Sequence, residues 1–147
     1  MKELAGKTAF VTGGASGIGF ALGHAFAAAG MKVILADIET DALAAAVKSL
    51  HDIGADVRGV TCDVADPVSV ERAAKASYEA FGNVHVVCNN AGVAAGGGID
   101  NISLDNWRWV LDVNLMGSFT ASVPSFHASA RTAKAVTSST RRPWPAC

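Results

Sequence analysis

The chain has 147 residues, the length of one domain, and half of them are hydrophobic, so there is material for a core. Charged residues make up 17 %, below the roughly 25 % of an average soluble domain. The net charge of −1 implies no general attraction to nucleic acid or to an anionic membrane. The apolar runs all fall short of the ~20 residues a membrane helix needs, and "MKELAGKTAFVTGG" has no signal-peptide core. Cys62, Cys88 and Cys147 lie far apart, without C-x-x-C or metal spacing, which suits a reducing, cytoplasmic setting. His24, His51, His85 and His127 share no metal-like spacing either, so no metal site is expected.

The elements follow in chain order. "KTAFVTGG" reads as a short apolar strand running into glycines. "SGIGFALGHAFAAAG" places Ile18, Leu22, Ala25, Phe26 and Ala29 at helical spacing, with Gly30 as the stop. "MKVILAD" is a nearly continuous apolar strand, as expected of one buried on both faces. A second helix over "TDALAAAVKSLHDIG" has Thr40 or Asp41 as N-cap and Gly54 at its end. "DVRGVTCDV" alternates like a third strand. The next helix opens with Asp66 as N-cap and Pro67 at its first position, and runs to Gly82. "VHVVCNNAG" is a fourth strand ending in a polar turn, and "GGGID" a flexible loop. "SLDNWRWVLDVNLMGSF" is helical in pattern, capped by Ser103, with Trp107 and Trp109 facing different directions. This order describes a parallel sheet with right-handed crossovers: an α/β, Rossmann-like, doubly wound domain of about four strands with flanking helices.

The chemistry concentrates at the first turn, "TGGASGIG". Gly13 permits a tight turn, Gly17 lets the backbone approach a diphosphate, and Gly19 lets the helix lie close on the sheet. The first-turn N–H groups around Ser16, Gly17 and Ile18 present donors and the positive end of the helix dipole to an anion. A glycine triplet alone is weak evidence; this one follows a strand, opens a helix and is followed about 20 residues later by Asp37 at the end of the next strand. A carboxylate there accepts from both ribose hydroxyls and repels a 2′-phosphate, and no Arg or Lys stands at Ser16, Ile38 or Glu39. The expected ligand is a dinucleotide, NAD in preference to NADP.

Taken together, "TGGASGIG", Asp37, "CDV" with Asp63, "NNAG" at Asn89 to Gly92 and "VNLMG" with Asn114 resemble the short-chain dehydrogenase/reductase superfamily, from Gly6 to about Phe119. The resemblance implies hydride transfer between a nicotinamide and an alcohol or carbonyl. It implies that Asp63 and Val64 meet the adenine, that Asn90, Ala91 and Gly92 wall the ribose, and that Asn114 holds a relay water through its bent helix backbone. Alternatives stay open: Asp63 as a turn carboxylate, Asn89 and Asn90 as structural only, Asn114 as the cap of a bend. The family's acid–base pair is Tyr-x-x-x-Lys, with a Ser about a dozen residues upstream. Here the single tyrosine is Tyr78, in the third helix, and residue 82 is Gly. That leaves the chain without the pair and its catalytic role reduced to Asn114.

The composition breaks after Asp112. Up to that point there are thirteen acidic residues and eight Lys or Arg; beyond it only Arg131, Lys134, Arg141 and Arg142 carry charge. The expected division is 1–118 as the dinucleotide-binding part and 119–147 as an irregular basic Ser/Thr/Arg/Pro tail. With suitably chosen GC-rich codons, restoring one base after codon 119 turns the tail into family-like sequence, which points to a frame loss. On that reading the fourth strand lacks its outer neighbour, an edge that invites association, the stability is weak, and the family's oligomer is in doubt. The competing readings are an active oxidoreductase, a non-catalytic NAD-binding remnant, and a regulatory module that binds a partner or phosphate through the tail.

Overall fold

The computed structural model describes residues 3–96 and 100–122. The tail beyond 122, and with it most of the 119–147 segment, lies outside the described residues, as do residues 97–99 within "GGGID". Four parallel strands form one sheet in the order β3-β2-β1-β4: β1 (Thr8–Thr12), β2 (Lys32–Asp37), β3 (Val57–Thr61) and β4 (Val86–Cys88). Helices α1 (Gly17–Ala28), α2 (Thr40–Asp52) and α3 (Pro67–Phe81) make the crossovers. After β4 come α4 (Leu104–Leu111), a π-helical segment Asp112–Met116 and α5 (Gly117–Ser122). This is the α/β doubly wound arrangement that the strand–helix alternation implies.

The two-residue period of β1 and β2 builds both halves of the core. Phe10, Ile34 and Ala36 face one side, where Val70, Ala73 and Ala74 of α3 cover them. Val11, Val33 and Leu35 face the other, under Leu43, Ala46 and Leu50 of α2 and the half-buried Phe20, Leu22 and Phe26 of α1. All five residues of β1 are buried. Each fully buried Phe, Ile, Leu or Val side chain contributes about 1.5–3 kcal/mol, so the central pair of strands holds the sheet. Among the described residues β3 and β4 are the edges, β3 with Arg58 and Gly59 exposed and β4 with three half-buried residues.

The helix ends show how the local sequence acts. Asp66 caps α3 by accepting from the Val68 amide at 3.0 Å, Pro67 follows it, and Gly82 closes the helix at φ 78°. Ser103 caps α4 by accepting from the Asn106 amide at 3.2 Å. Two expectations are corrected. The N-cap position of α2 is Glu39, not Thr40 or Asp41, with no side-chain cap bond; the Asp37 carboxylate takes the Glu39 amide and brings the chain into the helix sooner. In α1 only part of the apolar stripe faces inward: Leu22 and Phe26 are half-buried against the core, Ile18, Ala25 and Ala29 are exposed, and the fully buried positions are Gly19 and Gly23. A Cβ on Gly23 would stand 2.7 Å from Leu35 Cδ2, so α1 packs by its glycines at a distance larger residues would not allow. The last helix also crosses the 118/119 boundary: Ala121 is 1 % exposed and belongs to the core.

Cys62 sits just beyond β3, 3 % exposed, and burial raises its thiol pKa to about 11 against the Ser69 hydroxyl, which lowers it. The unfolded thiol ionises at its ordinary value of 9.0. Stability is therefore intact below pH 9 and falls as pH rises toward 11, by about 1.4 kcal/mol per pH unit in that window. Denaturant unfolding at pH 8 and at pH 10.5 is expected to show a smaller loss in Cys62→Ala than in the parent chain; equal losses would remove Cys62 as the cause.

Candidate functional site

The strand register aligns the carboxyl ends. Thr12 pairs with Ala36, Val11 with Cys88, and Asp37 with Thr61. Crossovers leave β1 for β2 on one face and reach β4 by α3 on the other, so the winding direction changes between β1 and β4. In open α/β sheets the ligand crevice lies there, beyond the carboxyl ends. The expected site residues gather at that edge.

The glycine turn lies against the loop after β4. Gly13 has φ 64°, and a Cβ there would stand 2.9 Å from the Ala91 Cα. A Cβ on Gly19 would run into the Gly13 carbonyl oxygen. Only glycine fits either position. Gly17 also has a positive φ, 53°, and its missing Cβ faces open space. Ser16, Gly17 and Ile18 are exposed, and α1 begins at Gly17 with no acidic residue in its first turn. The first-turn N–H groups thus stand at an open surface, where a diphosphate would be held by donors and dipole. The cradle fits a dinucleotide.

Thr12, which sequence reasoning passed over, joins the two halves of this edge. Its buried hydroxyl donates to the Cys88 carbonyl at 3.3 Å and accepts from the Asn90 and Ala91 amides, both at 3.0 Å. The Asn90 side-chain amide donates back to the carbonyls of Thr12 (3.0 Å) and Gly13 (3.2 Å). Asn89 donates through Nδ2 to the Ser118 carbonyl at 3.1 Å and ties the same loop to α5. The only signal for Thr12 in the sequence was a hydroxyl at the end of an apolar strand.

Asp37 is half-buried at the end of β2. Its Oδ2 accepts from the Ala15 amide at 2.9 Å and its Oδ1 from the Glu39 amide at 3.1 Å. Asp63 accepts from the Ala65 amide at 2.9 Å, a turn closed by its own carboxylate, while its amide donates to Ser69 Oγ. The Val64 side chain is buried in the core beside Gly117 rather than displayed at the crevice. Gly92 is exposed and lies next to Asn114.

Asn114 sits in the π-helical segment and uses its side chain, not only its backbone. Oδ1 accepts from the Val93 amide at 2.8 Å and Nδ2 donates to the Val93 carbonyl at 2.9 Å, so the loop after Gly92 is clamped to the helix. Its carbonyl accepts from Ser118 Oγ at 3.0 Å. Around this clamp Val93, Ala94, Ala95, Ile102, Trp107 and Val110 line a largely apolar hollow of about 310 Å³. Tyr78 stands apart from all of this, packed on the core from α3, with its hydroxyl pKa raised by burial. Among the described residues no group of three His, Cys, Asp or Glu could hold a metal.

Residues 7–137 match the family model described as short chain dehydrogenase. The chain belongs to the short-chain dehydrogenase family. The match to this family runs past Phe119 into the basic segment. A 1-deoxy-11-beta-hydroxypentalenate dehydrogenase of Streptomyces avermitilis is 46 % identical over 110 residues, 74 % of this chain and 41 % of that protein. A C alpha-dehydrogenase of Sphingobium sp. strain SYK-6 is 36 % identical over 141 residues, 93 % of this chain and 46 % of that one. The chain therefore spans less than half the length of these curated relatives. Among solved structures, a short-chain dehydrogenase/reductase from Burkholderia phymatum in complex with NAD superposes with a TM-score of 0.83 at 44 % identity, over 88 % of this chain and 46 % of that one. A blue fluorescent protein from a metagenomic library in complex with NADPH gives 0.79 at 32 % identity, over 87 % and 53 %.

Thr12→Val keeps the shape of the side chain but leaves the Asn90 and Ala91 amides without their acceptor. It is expected to destabilise the fold by about 1–3 kcal/mol, read from denaturant unfolding. An unchanged unfolding midpoint would show that the hydroxyl does not hold the two loops together.

Proposed function

We propose that this chain binds a nicotinamide dinucleotide at the carboxyl edge of β1 and β2, takes NAD in preference to NADP, and as a 147-residue polypeptide does not turn over an alcohol or carbonyl substrate. The observation that carries the cofactor reading is the open glycine turn at α1 with the Asp37 carboxylate bonded beside it at 2.9 Å. Gly17 opens the approach for the diphosphate, Asp37 meets the adenosine ribose, and Asn90, Ala91 and Gly92 stand on the nicotinamide side. Asp63 closes the far end of the adenine side through its turn. Solved relatives bind NAD in one case and NADPH in another, which supports a nicotinamide cofactor. The preference for NAD rests on charge: Asp37 opposes a 2′-phosphate, and Ser16, Ile38 and Glu39 offer no cation to receive one.

When bound, the nicotinamide supplies the hydride acceptor or donor of the family's alcohol–carbonyl chemistry. In the family's reaction the proton is handled by a Tyr paired with a Lys four residues on, which brings the phenol toward neutrality. Tyr78 is the chain's single tyrosine, residue 82 is Gly, and burial moves the Tyr78 hydroxyl away from neutral pH rather than toward it. What this chain's own residues provide is binding and positioning: Asn114 keeps the Val93 loop closed beside the nicotinamide side. The basic tail is read as the product of a lost base near codon 119, in a protein of a reducing compartment. Sequencing the gene across that codon is expected to show the missing base, and an intact frame would refute it.

The binding test is fluorescence titration of the purified chain with NADH and with NADPH. Saturable NADH enhancement, with NADPH weaker by tenfold or more, is the expected result; absence of any binding would overturn the proposal, and a preference for NADPH would overturn the role of Asp37. Incubation with NAD and a panel of secondary alcohols is expected to form no NADH. Sustained formation by the pure chain would mean that it catalyses the reaction by another route.

A further inference from the structure

The bonds at the end of β2 give Asp37 a second task. The Gly14 amide donates to the Ala36 carbonyl at 3.0 Å, and the next amide, Ala15, donates to Asp37 Oδ2 at 2.9 Å. Two consecutive turn amides are thus tied to two consecutive residues of β2. The other carboxylate oxygen takes the Glu39 amide at 3.1 Å, at the entrance of α2. One side chain therefore bridges the turn before α1 and the loop before α2, whether or not a ribose is present. Each bond is charge-assisted and stronger than a neutral one. Each oxygen keeps a further lone pair for a ligand hydroxyl.

We infer that Asp37 is a positioning residue for the phosphate cradle: by holding the Ala15 amide back toward β2, it directs the N–H groups of Ser16, Gly17 and Ile18 outward to the diphosphate. Asp37 then acts on the part of the ligand it does not touch. The consequence has a diagnostic sign. On charge alone, replacing Asp37 by a neutral residue strengthens the binding of any anion nearby. Loss of the brace weakens it, because the donors are no longer held in place. A residue that served the ribose only would leave a ligand without ribose unaffected or better bound.

The ligand arm of the test rests on the dinucleotide reading above; the other arm does not. Amide hydrogen exchange of the unliganded chain is expected to show Ala15 protected, and in Asp37→Asn its exchange is expected to quicken by about tenfold, with the far-ultraviolet circular dichroism unchanged. Titration with inorganic pyrophosphate, followed by phosphorus NMR, is expected to show weaker binding to Asp37→Asn than to the parent chain. Ala15 exchanging like an open loop amide in the parent chain would overturn the inference, and this measurement needs no variant to fold. Pyrophosphate bound equally or more tightly by a folded Asp37→Asn would also overturn it. If NADH binds while Ala15 is unprotected, the brace fails and the dinucleotide reading stands. If Ala15 is protected by Asp37 but neither NADH nor pyrophosphate binds, the carboxylate braces a turn that cradles no phosphate, and both readings of the site as a cradle fall.

Discussion

One hydroxyl group holds the two sides of the crevice together. Thr12 closes β1, and its Oγ1 makes three bonds to residues 76 to 79 positions later in the chain. It uses its full capacity, one donor and two acceptor sites. Without it, the glycine turn and the Asn90–Gly92 loop would meet only through the Asn90 side chain and the three-residue pairing of β1 with β4. The position of the turn, the packing of Gly13 against Ala91, and the path of the loop toward Val93 all depend on that junction.

A second set of bonds extends the same logic outward. Asn90 reaches back to the turn, Asn89 reaches forward to α5, and Asn114 clamps Val93 from the π-helical segment. Asp37 performs the corresponding task on the β2 side. These are polar ties at half-buried or exposed positions, the neutral ones each worth about 0.5–1.5 kcal/mol net, whereas the apolar faces of β1 and β2 supply the bulk of the stability. The division of labour is clear. Hydrophobic burial holds the sheet, and short polar side chains set the shape of its carboxyl edge.

The fold was largely legible because its signals are local and periodic. Continuous apolar runs marked β1 and β2, Asp66 with Pro67 marked the start of α3, and Gly82 marked its end. The site was legible in its residues but less so in their partners. Asp37 could be placed at a strand end from spacing alone; that its carboxylate already holds Ala15 and Glu39 depends on how closely two turns approach, which no spacing records. The same holds for Val64, whose burial beside Gly117 arises from α5 packing on β3's exit, and for Asn114, whose partner Val93 is 21 residues away. Helical spacing in α1 marked Leu22 and Phe26, which do pack on the core, but not Gly19 and Gly23, whose burial depends on how closely the helix approaches the sheet.

The π-helical segment Asp112–Met116 does more than bend a helix. Its wider turn holds one residue beyond what a regular α-helix would place there. That surplus sets the rotational phase of everything after it, bringing Gly117 under Val64 and Ala121 into the core while Asn114 still faces the loop. Removing any single residue from this stretch would rotate the following helix by about 100° and carry both small residues out of the interior. Length here is a structural variable in its own right, as tightly constrained as the identity of any side chain.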